Sequence, residues 1–283
     1  MTAGTGADRP VSARNARVTA ARRLGRRHAR DEQRAFLAEG PQAVREALGR
    51  AAAEPGLVRE LFVDATATGR HHGLVAAAQS LGVPVVRVAP DVLAALSGTV
   101  TPQGVVARCR FVDLPLATAL ATAPALVAVL VDVRDPGNAG TVLRTADAAG
   151  AGAVVLAGES VDPYNGKAVR ASAGSLFHLP LVRGAHLDEV VDAAHGQGLQ
   201  VLAADGDGAV DLDDAVDDGT LARPTAWLFG NEAHGLDAPA LARADAVVRV
   251  PVHGAAESLN LATAAAVCLY SSARALRRDR THR

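Results

Sequence analysis

The chain is predicted to be an α/β protein, with a mainly parallel sheet covered by helices on both faces and a smaller α/β unit ahead of it. Three observations carry that expectation. Short apolar runs alternate with helical patterns twice along the chain, first over about 80 residues and then over the remainder. The run Leu126-Val127-Ala128-Val129-Leu130-Val131 is continuously apolar, as a strand buried on both faces requires. The composition, 49% hydrophobic but only 3% aromatic over 283 residues, supplies aliphatic cores for one large or two ordinary domains.

Residues 1 to 30 have few large apolar side chains and are expected to form a basic flexible arm that orders on a partner. Structure is expected from residue 31. In the unit over 31–110, Leu57 to Val63, Pro84 to Val88 and Val105 to Cys109 are candidate strands, and a helical pattern runs through Val75 and Leu81. Ser97-Gly98-Thr99 and Thr101-Pro102-Gln103-Gly104 carry turn chemistry. The Ala/Thr/Pro stretch within 111–124 resembles a linker or a short connecting helix. From 125 to 283 the expected strands are Leu126 to Val131, Ala153 to Leu156, Pro180 to Val182, Gln200 to Ala204, Ala226 to Phe229 and Ala246 to Val252. An Ala-rich helix from about Ser258 to Arg277 closes the chain. Ligands of such sheets gather beyond the carboxyl ends of the strands.

A net charge of −1 conceals a division: residues 1 to 34 hold nine Arg against three acidic residues, and the last ten hold five Arg against one Asp. Basic arms therefore flank an acidic body, an arrangement suited to meeting phosphate. Lys167 is the single lysine. Cys109 and Cys268 are far apart and make no metal-ligand spacing, which points to a reducing compartment and no metal. No run is long and apolar enough for a membrane span, and there is no signal-peptide core, so a soluble cytoplasmic protein is expected. The scarcity of aromatic side chains disfavours broad stacking platforms for bases.

Three loops follow strands of the second sheet and join glycine to polar side chains. The first, Asp135-Pro136-Gly137-Asn138-Ala139-Gly140, leads into a helix on which Ala139, Val142, Leu143, Ala146 and Ala149 share one stripe and Arg144 lies off it. Asn138 is a candidate N-cap there. The second is Gly230-Asn231-Glu232-Ala233-His234-Gly235, whose glycines permit close backbone approach. The third runs from Val250-Pro251 through Gly254 to Ser258-Leu259-Asn260; Ser258 is a candidate helix cap, whereas Asn260 is a poor helix former in a first turn. There is no GxGxxG, and Gly166-Lys167 lacks the surrounding glycine and hydroxyl of a phosphate loop, which disfavours a nucleotide-dependent oxidoreductase.

These loops resemble the three motifs of the SpoU/TrmH branch of the SPOUT RNA ribose 2′-O-methyltransferases. Asn138 and Arg144 match D-P-x-N-x-G-x-x-x-R; Gly230, Glu232 and Gly235 match G-x-E-x-x-G; Pro251, Gly254, Ser258, Leu259 and Asn260 match P-x-x-G-x-x-x-S-L-N. Ala233 departs from the Gly that many members carry after the motif Glu. More weakly, Phe36-Leu37-Ala38-Glu39-Gly40 and the Val44 to Leu48 helix resemble the family's L30e-like substrate-binding domain. The resemblance implies a C-terminal trefoil knot, which general topology rules would not suggest, a homodimer, and S-adenosyl-L-methionine as cofactor. It implies that Gly230, Asn231, Val250, Pro251, Ser258, Leu259 and Asn260 hold the cofactor. Arg144 would act on the ribose 2′-hydroxyl, as a base or as a charged anchor, and Asn138, Glu232, Ser258 and Asn260 would complete the catalytic set.

The implied activity is S-adenosylmethionine-dependent 2′-O-methylation of a ribose in structured RNA. The additional N-terminal domain favours 23S ribosomal RNA, including the case of a drug-resistance methylase. A transfer RNA substrate, and a non-catalytic RNA-binding protein that keeps the fold, are the alternatives. Arg22, Arg23, Arg26, Arg27 and Arg30 in the arm, with Lys167 and Arg170, are candidate phosphate contacts.

Overall fold

The computed structural model describes residues 10–66, 68–99 and 101–281, which divide into two units. The first unit comprises the chain to Phe111 together with Tyr164–His178. It opens with α1 (Ala16–Arg23) and α2 (Arg27–Gln33). Then come β1 (Ala35–Glu39), α3 (Pro41–Ala51), β2 (Val58–Asp64), α4 (His72–Ser80), β3 (Val85–Val88), α5 (Pro90–Ser97) and β4 (Val105–Arg110). The four strands form one sheet in the order β1-β4-β2-β3, with β4 antiparallel to both neighbours and β2 parallel to β3.

Part of the expected arm is folded, which corrects the reading of residues 1 to 30. Residues 1–9 lie outside the described part. Val11 N–H bonds the Arg87 carbonyl at 2.9 Å, and α1 buries Val18 and Ala21 against Phe62, Val88, Leu93 and Val106. Two small apolar side chains one turn apart suffice to seat a short helix on an existing core, although they give only a weak apolar pattern in the sequence. Arg30 is also corrected. It is 4% exposed, and its guanidinium donates to the Leu24 and Gly25 carbonyls at 2.9 and 3.1 Å. It therefore closes the turn between α1 and α2, and its charge is withdrawn from solvent.

The second unit starts at Val112. The stretch expected as a linker or a short connecting helix contains the short helix α6 (Leu116–Leu120), whose Ala119 and Leu120 are buried in this unit's core. The chain continues through β5 (Leu126–Val131), α7 (Pro136–Ala149) and β6 (Ala153–Ala157). It then leaves the sheet as α8 (Gly166–Ala171) and a single 3-10 turn, residues of the first unit. There Tyr164 stacks on Phe111 with ring centroids 3.9 Å apart and lies 4.6 Å from Phe36, which in turn stacks on Phe177. Four of the chain's eight aromatic residues are thus spent on one buried cluster.

The second unit resumes with β7 (Leu181–Ala185), α9 (Leu187–Gly196), β8 (Gln200–Ala204), β9 (Val210–Asp211) and α10 (Leu212–Asp217). It ends with β10 (Thr225–Phe229), α11 (Ala238–Ala242), β11 (Ala246–Arg249) and α12 (Leu261–Thr281). All seven strands are parallel, in the order β7-β6-β5-β10-β8-β11-β9. Every residue of β5, β6 and β10 is buried, as the continuous apolar runs predict. Of these seven strands, β9, two residues long, is the one with no counterpart among the expected strands, because two residues leave no periodicity to detect. The last apolar run ends as a strand at Arg249, short of Val252, and the closing helix begins at Leu261, three residues later than expected.

Trp227, the chain's single tryptophan, is fully buried in β10 and donates its indole N–H to Ser272 Oγ of α12 at 2.9 Å. Ser272→Ala leaves that donor without a partner and is expected to cost about 1–3 kcal/mol, measured by urea unfolding followed through Trp227 fluorescence.

Candidate active site

The three loops meet beyond the carboxyl ends of the parallel strands. Asp135, not Asn138, caps α7: its side chain accepts from Asn138 N–H at 2.9 Å, and Pro136 occupies the first turn where a missing N–H costs nothing. The side chain of Asn138 is consequently free to reach across. Its Nδ2 donates to Glu232 Oε1 at 3.1 Å, and its Oδ1 accepts from Asn260 Nδ2 at 3.2 Å. The same Glu232 carboxylate accepts the backbone N–H groups of Arg134 and Asp135 at 3.1 and 3.0 Å. Asn260 in turn caps α12, its Oδ1 taking the N–H of Ala262 at 2.9 Å. This corrects the local reading of the third loop: Asn260 is the cap, and Ser258 lies in the exposed loop ahead of the helix.

One residue from each loop therefore joins a single array, Glu232 to Asn138 to Asn260. Burial disfavours the ionised form of Glu232. The N–H donors from Arg134, Asn138, its own backbone and Asp135 outweigh that cost and hold the carboxyl below its ordinary pKa. Glu232 thus remains a carboxylate near neutral pH and acts as an acceptor for the loops. It is poorly suited to exchange protons there.

The second loop is a miniature hairpin. Asn231 and Gly235 exchange N–H to carbonyl bonds of 2.9 Å in both directions, Gly235 has φ +65°, and a Cβ on Gly230 would collide with the Gly235 carbonyl group. The side chain of Asn231 turns inward, donating to the Asp132 carbonyl at 2.8 Å and accepting from Ala233 N–H at 2.8 Å. It braces the hairpin against the turn after β5.

Beside this hairpin lies a cavity of about 590 Å³, within the range for cofactor sites. The residues around it include Gly230, Asn231, Glu232, Val250, Pro251, Ser258 and Leu259, so the structure gathers the expected cofactor positions at one opening. Asn260 touches the array and not this wall. Asp205, Val248, Arg249, Glu257 and Leu261 also line the cavity and carry no motif that would single them out in the sequence. Arg249 is tied back by the Gly208 carbonyl at 3.0 Å and Asp211 at 3.3 Å, which leaves Asp205 and Glu257 facing an opening with aliphatic walls. An apolar surface beside backbone polar groups and carboxylates suits a flat base carried on a cationic sulfonium, so the chemistry of the wall fits S-adenosylmethionine.

Arg144 projects from the exposed side of α7, opposite Ala139, Val142, Leu143 and Ala146. It makes no hydrogen bond or ion pair among the described residues and is not part of the array. Arg22, Arg23, Arg26 and Arg27 are exposed on α1, α2 and the turn between them, with Arg27 3.8 Å from Asp31. Lys167 is exposed at the start of α8. Arg170, exposed on α8, pairs with Glu39 at 2.9 Å and donates to the Ser97 carbonyl at 3.3 Å. Among the described residues no group of His, Cys, Asp or Glu is arranged to hold a metal, and no helix is long and apolar enough to cross a membrane.

Comparison with known proteins places the chain in a family. Residues 125–270 match the SpoU rRNA Methylase family, and residues 15–107 match an MRM3-like substrate binding domain. The chain is 35% identical to the 23S rRNA (guanosine(2553)-2′-O)-methyltransferase RlmP of Bacillus subtilis, over 92% of this chain and 96% of that protein. It is similar to an AdoMet-bound rRNA methyltransferase from Sinorhizobium meliloti, with a TM-score of 0.81, 33% identity and coverage of 95% and 98% of the two chains. It also resembles the AdoMet complex of the SpoU methyltransferase AviRb from Streptomyces viridochromogenes, with a TM-score of 0.78, 32% identity and coverage of 94% and 100%. The parallel sheet with its C-terminal trefoil knot is the SPOUT fold of these relatives. The chain belongs to the SpoU rRNA methylase family and is an RNA 2′-O-methyltransferase with S-adenosylmethionine as its cofactor.

Proposed function

We propose that this protein methylates the 2′-hydroxyl of one ribose in 23S ribosomal RNA, as a homodimer. The observation that carries this reading is the Glu232–Asn138–Asn260 array at the rim of the 590 Å³ cavity, with Arg144, which has no partner among the described residues, on the helix that the array anchors. A relative named as a 23S rRNA 2′-O-methyltransferase, similar over 92% of this chain, supports ribosomal RNA as the substrate class.

When bound, S-adenosylmethionine supplies an electrophilic methyl group on sulfur. The backbone around Gly230, Val250 and Leu259 would hold it, with Pro251 and Ser258 shaping the loop that closes over it. A ribose hydroxyl is a weak nucleophile and needs its proton drawn away while its oxygen is held in line with the methyl carbon. Arg144 is the group assigned to that oxygen. A guanidinium is locked in its charged form in the absence of a strong perturbation, so Arg144 orients the hydroxyl and an adjacent RNA phosphate and lowers the cost of the developing alkoxide. Glu232 and Asn138 set the entry of α7 and hence where Arg144 stands. Asn260 ties that entry to the start of α12, next to the cofactor wall. Val252, Leu259, Val267 and Tyr270 are large apolar side chains left exposed on the third loop and α12, a surface suited to burial against a second copy.

The test is mapping of 2′-O-methyl groups in total RNA from cells with and without the protein, together with calorimetric titration of S-adenosylmethionine. One ribosomal position unmethylated without the protein is the expected result. An unmethylated transfer RNA position would replace the substrate, and an unchanged map would overturn the reading.

The exposed arginines of α1 and α2 are expected to contribute long-range attraction. Changing Arg22, Arg23, Arg26 and Arg27 together to Gln should weaken RNA binding and reduce the salt slope of log affinity by about 0.7 for each phosphate no longer neutralised. S-adenosylmethionine affinity should not change. Deleting residues 1–30 is a poorer experiment, since it also removes Val18, Ala21 and the Arg30 turn from the first unit's core.

A further inference from the structure

Four non-glycine residues among those described have φ in the left-handed region: Arg34, Ala123, Asp132 and Ala173. Arg34, Ala123 and Ala173 stand shortly after the ends of α2, α6 and α8, where a left-handed residue is an ordinary way to stop a helix. Asp132, with φ +54°, follows the strand β5 instead, and no helix end accounts for it. Aspartate tolerates this conformation better than most residues, yet it is strained and persists only where surrounding bonds fix it. Those bonds come from three neighbouring strands. In the sheet β5 lies between β6 and β10, and Asp132 is the first residue beyond its carboxyl end. Towards β6, Asp132 Oδ1 accepts the Glu159 N–H at 2.7 Å and lies where a Cβ on Gly158 would stand, 2.5 Å from its ideal position. Towards β10, the Asp132 carbonyl accepts Asn231 Nδ2 of the second loop at 2.8 Å. In a continued strand the side chain would stand perpendicular to the sheet. The left-handed turn instead gives the carboxylate to one neighbouring strand end and the carbonyl to the other.

We infer that Asp132 is a positioning residue for methyl transfer, whose left-handed conformation, held by its carboxylate, sets the second loop against the entry of α7. Asp132 belongs to none of the three motifs, and the inference rests on reading their loops as the methyltransferase site. The chain of contacts is short. Asn231, which hangs on the Asp132 carbonyl, and Gly235, its partner across the hairpin, both line the cofactor cavity. Asp132 itself does not line that cavity, so its influence on the cofactor passes through Asn231. On the other side of the same turn, Arg134 and Asp135 aim their N–H groups at Glu232, which holds Asn138. A rotation of the backbone at Asp132 therefore moves the cofactor wall and the α7 entry relative to each other. The fold does not hang on this residue alone. Val133 donates its N–H to Ser160 Oγ at 3.1 Å and accepts the Val161 N–H at 2.8 Å, a second tie between the same two strand ends.

Three variants of the full chain separate the conformation from the side-chain bond. Asp132→Asn keeps an acceptor oxygen and tolerates the left-handed turn, Asp132→Gly keeps the turn but loses the acceptor, and Asp132→Ala loses both. S-adenosylmethionine affinity is measured by calorimetry, stability by thermal unfolding, and single-turnover methylation on an unmodified 23S rRNA transcript. Asp132→Ala should bind the cofactor about tenfold more weakly. At saturating cofactor it should transfer methyl groups about 10²-fold more slowly, as a misplaced positioning element does. Asp132→Gly should fall between Asp132→Ala and wild type, and Asp132→Asn should restore both affinity and rate. Wild-type affinity and rate in Asp132→Ala would overturn the inference, and a lowered unfolding temperature beside them would mark the residue as merely structural. Losses in Asp132→Asn equal to those in Asp132→Ala would overturn it too, because neither the turn nor the acceptor would then be what matters. Failure of the parent reading looks different: the wild type would bind S-adenosylmethionine yet transfer no methyl group to the transcript, and the affinity series would still decide the role of Asp132.

Discussion

Arg144→Ala is expected to reduce methyl transfer by about 10²–10⁴-fold, the range for losing a group that assists proton removal in the transition state, with S-adenosylmethionine affinity unchanged. The residue stands on the solvent side of α7 and bonds nothing in the described structure, so its removal leaves no buried partner unsatisfied and should leave thermal stability unaffected. That combination makes the variant a clean probe. Single-turnover methylation of 23S rRNA, beside calorimetric titration of the cofactor, measures both quantities. Arg144→Lys separates the two chemical roles: if the guanidinium is a charged anchor, Lys retains part of the rate and the wild-type pH profile. A displaced pH profile would assign proton transfer to the side chain at this position. A wild-type rate in Arg144→Ala would remove the residue from the mechanism.

Glu232→Ala is expected to be the second most damaging change, by way of geometry. Its carboxylate gathers the N–H groups of Arg134 and Asp135 and the amide of Asn138, and the last of these is bonded to Asn260. Without it, the entry of α7 and the start of α12 lose their common tie, and misplacement of a positioning element by about 1 Å can cost about 10²-fold in rate. Both cofactor affinity and rate should fall, since Glu232 also lines the cofactor cavity. Glu232→Gln, which retains an acceptor but faces the three N–H donors with an amide, should fall between wild type and Glu232→Ala. The sign of the pH dependence follows from the depressed pKa. The folded protein favours the carboxylate, so its contribution is fully present above the ordinary glutamate value of about 4.3 and is lost as pH falls through the lower folded-state value. Within the neutral range Glu232 therefore contributes no titration to a pH–rate profile. A limb within the neutral range that is present in the wild type and disappears in Glu232→Gln would contradict this assignment.

The two cysteines are both buried. Burial pushes the Cys268 thiol up to about 12 and raises Cys109 as well, so neither is a thiolate at neutral pH.

How much can be read without coordinates differs between the two sheets and the site. Strands buried on both faces declare themselves as unbroken aliphatic runs, and β5 and β8 have the boundaries that their residues predict. The stripe on α7 likewise places Arg144 on the outer side, because helical periodicity is a local property. The cap of α7 is legible too, since Asp135-Pro136 is an N-cap followed by a first-turn proline, and Asn138 competes for that role only when the pair is passed over. The helices of the expected arm leave almost no signal, since α1 depends on Val18 and Ala21 finding an apolar surface built by residues about 40 to 90 positions away.

The amino-acid sequence by itself determined the α/β class, the aliphatic cores, the three loops with their motif residues, and the outward face on which Arg144 stands. These depend on composition, periodicity and residue spacing, which act over a few turns or a single strand. Only the tertiary structure decided that Glu232, Asn138 and Asn260 form one array, that Arg30 is buried on the Leu24 and Gly25 carbonyls, and that Arg170 pairs with Glu39. Each of these is a choice of partner among groups far apart along the chain. A carboxylate or guanidinium has the same chemistry on paper whether it meets water or a backbone N–H, and only the packing of elements assigns the partner.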